Sequence, residues 1–307
     1  MATPTKRIGY VDYQLDNFHA NTYLAAIRGP LVGRGYDVVG ATAMATAPGR
    51  EWADRNRVRW FETPRDMAAH VDCFAILAPS DPQVHLGLCE QVLPFGKPTF
   101  VDKTFAPNFA IAEKIFKLAD EHRAAVQTTS ALRATEVQRY VATCRDDVQS
   151  MHVWAGGSSL GEYIIHPLEL LISCLGPSVI DMMRLGLDTH PQFVLKFAGG
   201  RTGVIDFAAG IDVDFAAAVT TLQQTKFITV DCSRLFIDAA AAILDFFDAA
   251  KPLIDRRETL TIHRILEMVG RDDVCDRFQK LAVVPPPHFQ TSAAGRPMAI
   301  GKAEGQP

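Results

Sequence analysis

The stretch "RIGYVDYQLDNFHAN" occupies residues 7–21, and its reading decides the fold. RIGYVD is an apolar strand, and NFHANTYLAAIRGPLVGRG continues from it as a helix, with Gly35 fitting the helix end. A strand feeding straight into a helix is how a dinucleotide-binding domain begins. The turn between them then carries glycines at G-x-G-x-x-G spacing, which permit a tight bend and let a pyrophosphate approach the helix N-terminus. Here the turn is Asp12, Tyr13, Gln14, Leu15, Asp16 and Asn17, and Gly9 lies inside the strand. Asp12 falls near the first glycine position, Gln14 near the second, and Asp16 or Asn17 near the third. Carboxylates placed where phosphates would sit repel them. Asp16 or Asn17 also has a local use as the helix cap. The second cofactor mark, an acid at the end of strand two that would bind the adenosine ribose, is missing: after YDVVGAT the next acid is Glu51. The turn therefore predicts weak or altered dinucleotide affinity on a fold built for a dinucleotide.

Outward from this turn, the first 133 residues alternate short apolar runs with amphipathic ones. Strands are expected at YDVVGAT, VRWFET, DCFAILAP, PTFVDK and AAVQTTSALR. Helices are expected at GREWADRNR, TPRDMAAHV, VHLGLCEQVLPFG and NFAIAEKIFKLADEHR. This order forces a parallel sheet with right-handed crossovers. Beyond that point the rhythm changes. ATEVQRYVATCRDD and EYIIHPLELLISCLG read as helices around the strand QSMHVWAG. A β-meander follows over residues 178–231, with Gly199 and Gly200 marking a hairpin turn. Two helices close the chain before a Pro/Gly-rich tail from about residue 285. The expected fold is α/β: a Rossmann-like parallel-sheet domain over residues 1–133, then an α+β domain over residues 134–307 with a largely antiparallel open sheet.

Four segments carry a family resemblance. GKPTFVDKTFAPN (residues 96–108) is similar to the GKHVLCEKP stretch of the Gfo/Idh/MocA oxidoreductases. LAPSDPQVH (residues 77–85) is similar to their TPxxxH segment, and GEYIIHPLELLISCLG (residues 161–176) to DxGxHxxDxxxxxxG. Residues 243–269 resemble their closing helices. The departures are Asp102 for Glu, Thr104 for Pro, Glu162 and Glu169 for aspartates, and Ile164 for glycine. The resemblance implies an NAD(P)-dependent oxidoreductase of a sugar, polyol or related cyclic alcohol. It places Lys103, His166 and Glu162 as catalytic residues. The cofactor crevice would be lined by Asp12, Tyr13, Gln14, Ala78, Pro79, His85, Asp102 and Lys103. Arg133, Tyr163 and Glu169 are expected at the substrate, and His85, His19, Tyr163 and Arg133 are read as structural or substrate-orienting. Family members associate through the open face of the second sheet, so a homodimer or homotetramer is expected.

The residues themselves support this chemistry. Oxidising a secondary alcohol removes a proton from oxygen, which needs a base with a pKa near the working pH, and a lysine or histidine serves. Glu162, His166 and Glu169 have i, i+4, i+7 spacing, which would set the histidine between two carboxylates and favour its charged form. Lys103 follows a strand's C-terminal end, where open α/β sheets bind ligands. Two other uses are open. One is a lyase, isomerase or ligand-binding protein on the same scaffold without an exchangeable dinucleotide. The other is a hydrolase with Ser159 as nucleophile, because GSSLG (residues 157–161) matches G-x-S-x-G.

Composition removes several classes. A net charge of −4 gives no electrostatic basis for binding nucleic acid or an anionic membrane. No apolar run approaches the roughly 18 residues of a membrane span. Residues 1–7 enter the first strand without an apolar leader, and the six cysteines form no CxxC or Cys/His cluster. Buried reduced thiols, no metal and a cytoplasmic location are the expectations.

Overall fold

The computed structural model describes residues 6–79 and 81–282. The tail expected from about residue 285 lies outside the described residues. The first sheet has six parallel strands: β1 (Lys6–Asp12), β2 (Tyr36–Ala43), β3 (Arg59–Trp60), β4 (Cys73–Ile76), β5 (Thr99–Val101) and β6 (Val126–Gln127). Their order is β3-β2-β1-β4-β5-β6, so the chain reverses direction between β1 and β4. At such a switch point the connections leave to opposite faces and open a crevice at the strand C-terminal ends. Asp12 ends β1, Ala78 and Pro79 follow β4, and Asp102 and Lys103 follow β5.

Five helices connect these strands: α1 (Phe18–Arg28), α2 (Thr46–Asn56), α3 (Pro64–Ala68), α4 (His85–Val92) and α5 (Phe109–Glu121). Polar caps start three of them: Asn17 accepts from the Ala20 amide, Thr63 from Asp66 and Asn108 from Ile111. Helix α1 is shorter than the sequence predicts. Gly29 caps it, and Pro30, which has no N–H to donate, follows. Gly35 instead ends a separate 3₁₀ turn, with a φ of 72°. The strand expected at VRWFET contracts to Arg59–Trp60.

The second half begins with α6 (Glu136–Cys144), β7 (Val148–Gly157), α7 (Leu160–Tyr163) and α8 (Ile165–Leu175). Strands β8 (Val179–Leu187), β9 (His190–Phe197), β10 (Thr202–Ala209), β11 (Ala216–Thr221) and β12 (Thr225–Thr229) follow. Helices α9 (Leu235–Ala249) and α10 (Arg256–Val269) and the short strand β13 (Gln279–Lys280) complete the described chain. The sheet order is β12-β11-β7-β10-β9-β8-β13. The strands after β7 do not form a simple meander, because β7 enters between β10 and β11 and pairs with β10 in parallel. The other pairs are antiparallel, and the β9–β10 turn holds Gly199 and Gly200 at φ of 86° and 89°. Cys73, Cys89 and Cys174 are buried as expected, but Cys232 and Cys275 are exposed.

Packing ties the two halves together. Helix α9 comes late in the chain, yet Leu244, Phe246 and Phe247 belong to the core of the first sheet, with Ile8, Tyr10 and Phe100. Helix α10 gives Leu260 to the far face of that sheet and Ile262 and Ile265 to the second core. Burying one such side chain is worth roughly 1.5–3 kcal/mol. The two helices therefore fix where the second half sits over the crevice of the first.

Candidate active site

At the switch point the β1–α1 turn is closed on itself. Asp12 is 1% exposed. Its Oδ1 accepts from the amides of Gln14 and Ala78, both at 3.1 Å, and its Oδ2 accepts from the Asn17 side chain at 2.8 Å. Asn17 uses its own Oδ1 to cap α1 at Ala20 N, 2.9 Å away. The carboxylate thus takes up amides that a glycine turn would offer to a bound phosphate. Burial pushes Asp12 up to about 6, against the lowering effect of these hydrogen bonds. Ala78 sits at a positive φ of 26°, an uncommon conformation for a residue with a side chain. Asp12 holds its amide, and His85 Nε2 lies 3.2 Å from its carbonyl. Outside the turn, Asp12, Tyr13, Gln14, Asp16, Asn17, Ala78, Pro79 and Asp81 line a cavity of about 410 Å³.

A second cavity of about 290 Å³ lies between the halves. Lys103 and His19 come to it from the first sheet's end, and Glu162, Tyr163 and His166 from α7 and α8. Phe18, Phe215 and Phe236 give it apolar walls. Lys103 Nζ donates to the Pro79 carbonyl at 3.2 Å. His166 Nδ1 is 2.8 Å from Ser130 Oγ. Asp102, fully buried, accepts from the Lys103 amide at 2.8 Å and meets His19 Nδ1 at 2.5 Å. His166 is pushed down to about 3, first by burial, then by the charge of Lys103 and by His19. Its ring is therefore neutral at ordinary pH.

The structure brings Lys103, His166, Glu162 and Tyr163 together at this cavity, and Asp12, Tyr13, Gln14, Ala78 and Pro79 at the other. Several expectations need correction. The helix is interrupted at Ile164 between α7 and α8, and although Glu162 and His166 line the same cavity, Glu169 does not join them there. Glu169 is buried on an ion pair with Arg133, whose Nη1 also reaches Glu258 Oε2 at 2.5 Å. Arg133 and Glu169 are held by each other rather than turned to the cavity, and His166, whose ring meets the Ser130 hydroxyl and not a carboxylate, is disfavoured as a cation by burial rather than favoured. His85 is fully buried between the carbonyls of Ala78 and Phe105, so it braces the loops behind the crevice instead of facing it. Asp102 likewise points inward to His19.

Ser159 caps α7, accepting from the Glu162 amide, in a turn after β7 rather than a strand-to-helix elbow in a parallel sheet. Among the described residues no histidine is hydrogen-bonded to the Ser159 hydroxyl, as the hydrolase reading would need. The glycines of this turn admit the chain's own atoms: a Cβ on Gly156 would lie 2.3 Å from the Ile211 carbonyl, and one on Gly157 2.3 Å from the Tyr163 ring. Among the described residues no group of three or more His, Cys, Asp or Glu could hold a metal ion, and no helix is long and apolar enough to cross a membrane. Sequence reasoning ranked His19 low and did not single out Ser130 or Phe236. The signal for His19 was its place in the second position of α1, at the mouth of the crevice.

A switch-point crevice faced by the helices of a second half built on a mostly antiparallel sheet is an architecture shared with solved dehydrogenases. The chain superposes on GenD2 from gentamicin A biosynthesis in complex with NAD, at a TM-score of 0.74 and 13% identity, over 92% of this chain and 98% of that one. It superposes equally on scyllo-inositol dehydrogenase from Lactobacillus casei with bound NAD(H) and scyllo-inositol (TM-score 0.73, 14% identity, 90% and 99% of the two chains). The dehydrogenase MviM from Clostridium difficile matches at a TM-score of 0.67 and 15% identity, over 86% and 98%. No protein-family model and no curated protein matches the sequence. At these identities the likeness establishes the fold.

Proposed function

We propose that the protein is an oxidoreductase acting on a sugar, polyol or related cyclic alcohol, with NAD or NADP as the hydride partner. The observation that carries this reading is the convergence of Lys103 and His166 from opposite halves on one aromatic-walled cavity. Such a cavity suits a polyhydroxylated ring, whose C–H faces pack on Phe and Tyr while its hydroxyls meet the polar floor. Lys103 supplies a cation that stabilises a developing alkoxide. Neutral His166, oriented by Ser130, exchanges a hydrogen bond with the same oxygen. GenD2 and scyllo-inositol dehydrogenase, on the same fold, support both the substrate class and the cofactor.

The residues present do not fit the diphosphate of that cofactor in the manner of a glycine turn. Asp12 fills the anion position, Asp16 and Asp81 line the same cavity, and β2 ends without an acid for the ribose. The same observation favours a second reading, a lyase or isomerase that uses this cavity without an exchangeable dinucleotide. The division at residue 133, assembly into a homo-oligomer through the open face of the second sheet, and a cytoplasmic location are part of the proposal.

The test is turnover of a panel of inositols, aldoses and their glycosides with NAD and NADP, beside calorimetry with NADH and NADPH. Oxidation of at least one alcohol is expected, with Lys103→Met and His166→Ala each lowering it by roughly 10²–10⁴-fold. No binding of either dinucleotide and no oxidation would leave the second reading in possession.

A further inference from the structure

We propose that the proton acceptor of this cavity is His19, and that Asp102 is the residue that positions it. This rests on the reading that a substrate hydroxyl loses its proton here, and it changes which group takes it.

Three nitrogen groups face the cavity. Lys103 donates from its Nζ to the Pro79 carbonyl at 3.2 Å and has no lone pair to offer while it does so as an ammonium. His166 has a hydroxyl, not a carboxylate, behind its ring. A proton arriving on it would create a cation with no acid hydrogen-bonded to the ring, so it is the poorer acceptor. His19 alone of the three has an acid behind it. Asp102 is 0% exposed and divides its oxygens between the Lys103 amide and His19 Nδ1. A carboxylate accepts only, so His19 carries its proton on Nδ1, which leaves the lone pair on Nε2. Among the described residues Nε2 has no hydrogen-bond partner, and His19 lines the cavity with 12% of its side chain exposed. The ring is fixed from the sides by Phe18, Tyr23 and Phe236, with centroids 5.9, 5.5 and 5.5 Å away. A buried acid that sets the tautomer, a clamped ring that lines the cavity and a nitrogen without a partner among the described residues are the parts of an oriented base.

The step balances by itself. The substrate O–H bond breaks, its electron pair stays on oxygen as an alkoxide facing the Lys103 ammonium, and the proton goes to His19 Nε2. The resulting imidazolium is neutralised by Asp102. The titratable groups around His19 are Asp102 and Lys103 after β5, His166 on α8, Glu162 on α7 and Tyr23 on its own helix. Of these, Tyr23 is pushed well up by burial and stays neutral, and Asp102 is in direct contact.

The test uses the full chain labelled with ¹⁵N-histidine, which needs no substrate. Long-range ¹H–¹⁵N spectra should place the His19 proton on Nδ1. In Asp102→Asn the amide NH₂ faces Nδ1, so the proton should move to Nε2 and the imidazole should titrate at lower pH. A His19 proton on Nε2 in the unmodified protein, or a ring whose tautomer and midpoint ignore Asp102→Asn, overturns the proposal. With any alcohol that the panel turns over, His19→Gln should lower kcat roughly 10²–10⁴-fold and abolish the acid limb of the pH profile, whereas His166→Gln should keep that limb. An unchanged limb in His19→Gln also overturns it. If no alcohol reacts, the oxidoreductase reading fails while the spectra still decide the dyad.

Discussion

At the scale of single residues, Asp12 is the most consequential departure from a dinucleotide-binding turn. Its carboxyl holds its proton more tightly in the folded chain, at about 6 against 3.8. The folded state therefore binds more protons between these values, and the group's contribution to stability falls as pH rises through that window. One pKa unit is about 1.4 kcal/mol, so the full effect is about 3 kcal/mol. Asp12→Asn does not titrate. Urea unfolding of both proteins should show the wild type losing up to about 3 kcal/mol relative to Asp12→Asn between pH 4 and pH 7. A difference that does not change with pH would show that the carboxyl is not penalised by its surroundings. Above pH 6 the charge also faces any diphosphate in the crevice, so NADH should bind Asp12→Asn more tightly than the wild type at pH 8, and less distinguishably at pH 5. Equal calorimetric affinities at pH 8 would remove Asp12 as the obstacle.

At the scale of elements, the βαβ rhythm was legible because each strand is a short apolar run and each helix carries a cap or an amphipathic stripe. Asn108 and Thr63 stand one residue before helices that start where expected. Lys103 and His166 were legible because their positions follow from a strand end and from a motif. What the sequence could not carry was the partner of Glu169 and the strand order in the second sheet. The polar stripe Glu162–His166–Glu169 has helical spacing, yet α7 and α8 are separate, and Glu169 turns to a partner 36 residues earlier in the chain. Pairing of β7 with β10 depends on a long-range contact that strand periodicity does not encode. The β7–α7 junction also sets a prediction. The Tyr163 ring rests on Gly157, where a Cβ would lie within 2.3 Å of it. Gly157→Ala should displace that ring from the cavity wall and raise the KM for a cyclic alcohol several-fold, with a stability cost of about 1–3 kcal/mol from overpacking. Unchanged KM together with unchanged stability would mean that the Tyr163 ring does not shape the cavity.

At the scale of the molecule, the two halves share core packing through α9 and α10. One face of the first sheet, formed by Ile8, Tyr10, Ala75, Leu77 and Phe100, is covered by Ala240, Ile243, Leu244 and Phe247 of α9. Tyr36 extends this contact, with its ring 6.2 Å from Phe247 and its hydroxyl donating to Asp248 at 2.9 Å. On the other face, α10 packs Leu260 into the core and pairs Arg256 with Asp120 of α5 at 2.7 and 2.8 Å. The buried Arg133–Glu169–Glu258 group joins the end of the first half to α8 and α10. Removing one member of such a group strands the remaining charges and costs about 3–5 kcal/mol. A fragment of residues 1–133 would expose the face that α9 covers and lose the partners of Asp120 and Arg133. It should be aggregation-prone or lack a cooperative unfolding transition, whereas residues 1–282 should unfold in one step. Co-expressing residues 134–282 with the fragment should restore a soluble complex, since the missing surface is then supplied in trans. A fragment of 1–133 that unfolds cooperatively with near-native stability would refute this dependence, and the cleft would then have to be regarded as two preformed halves in loose contact rather than one structure built around α9 and α10.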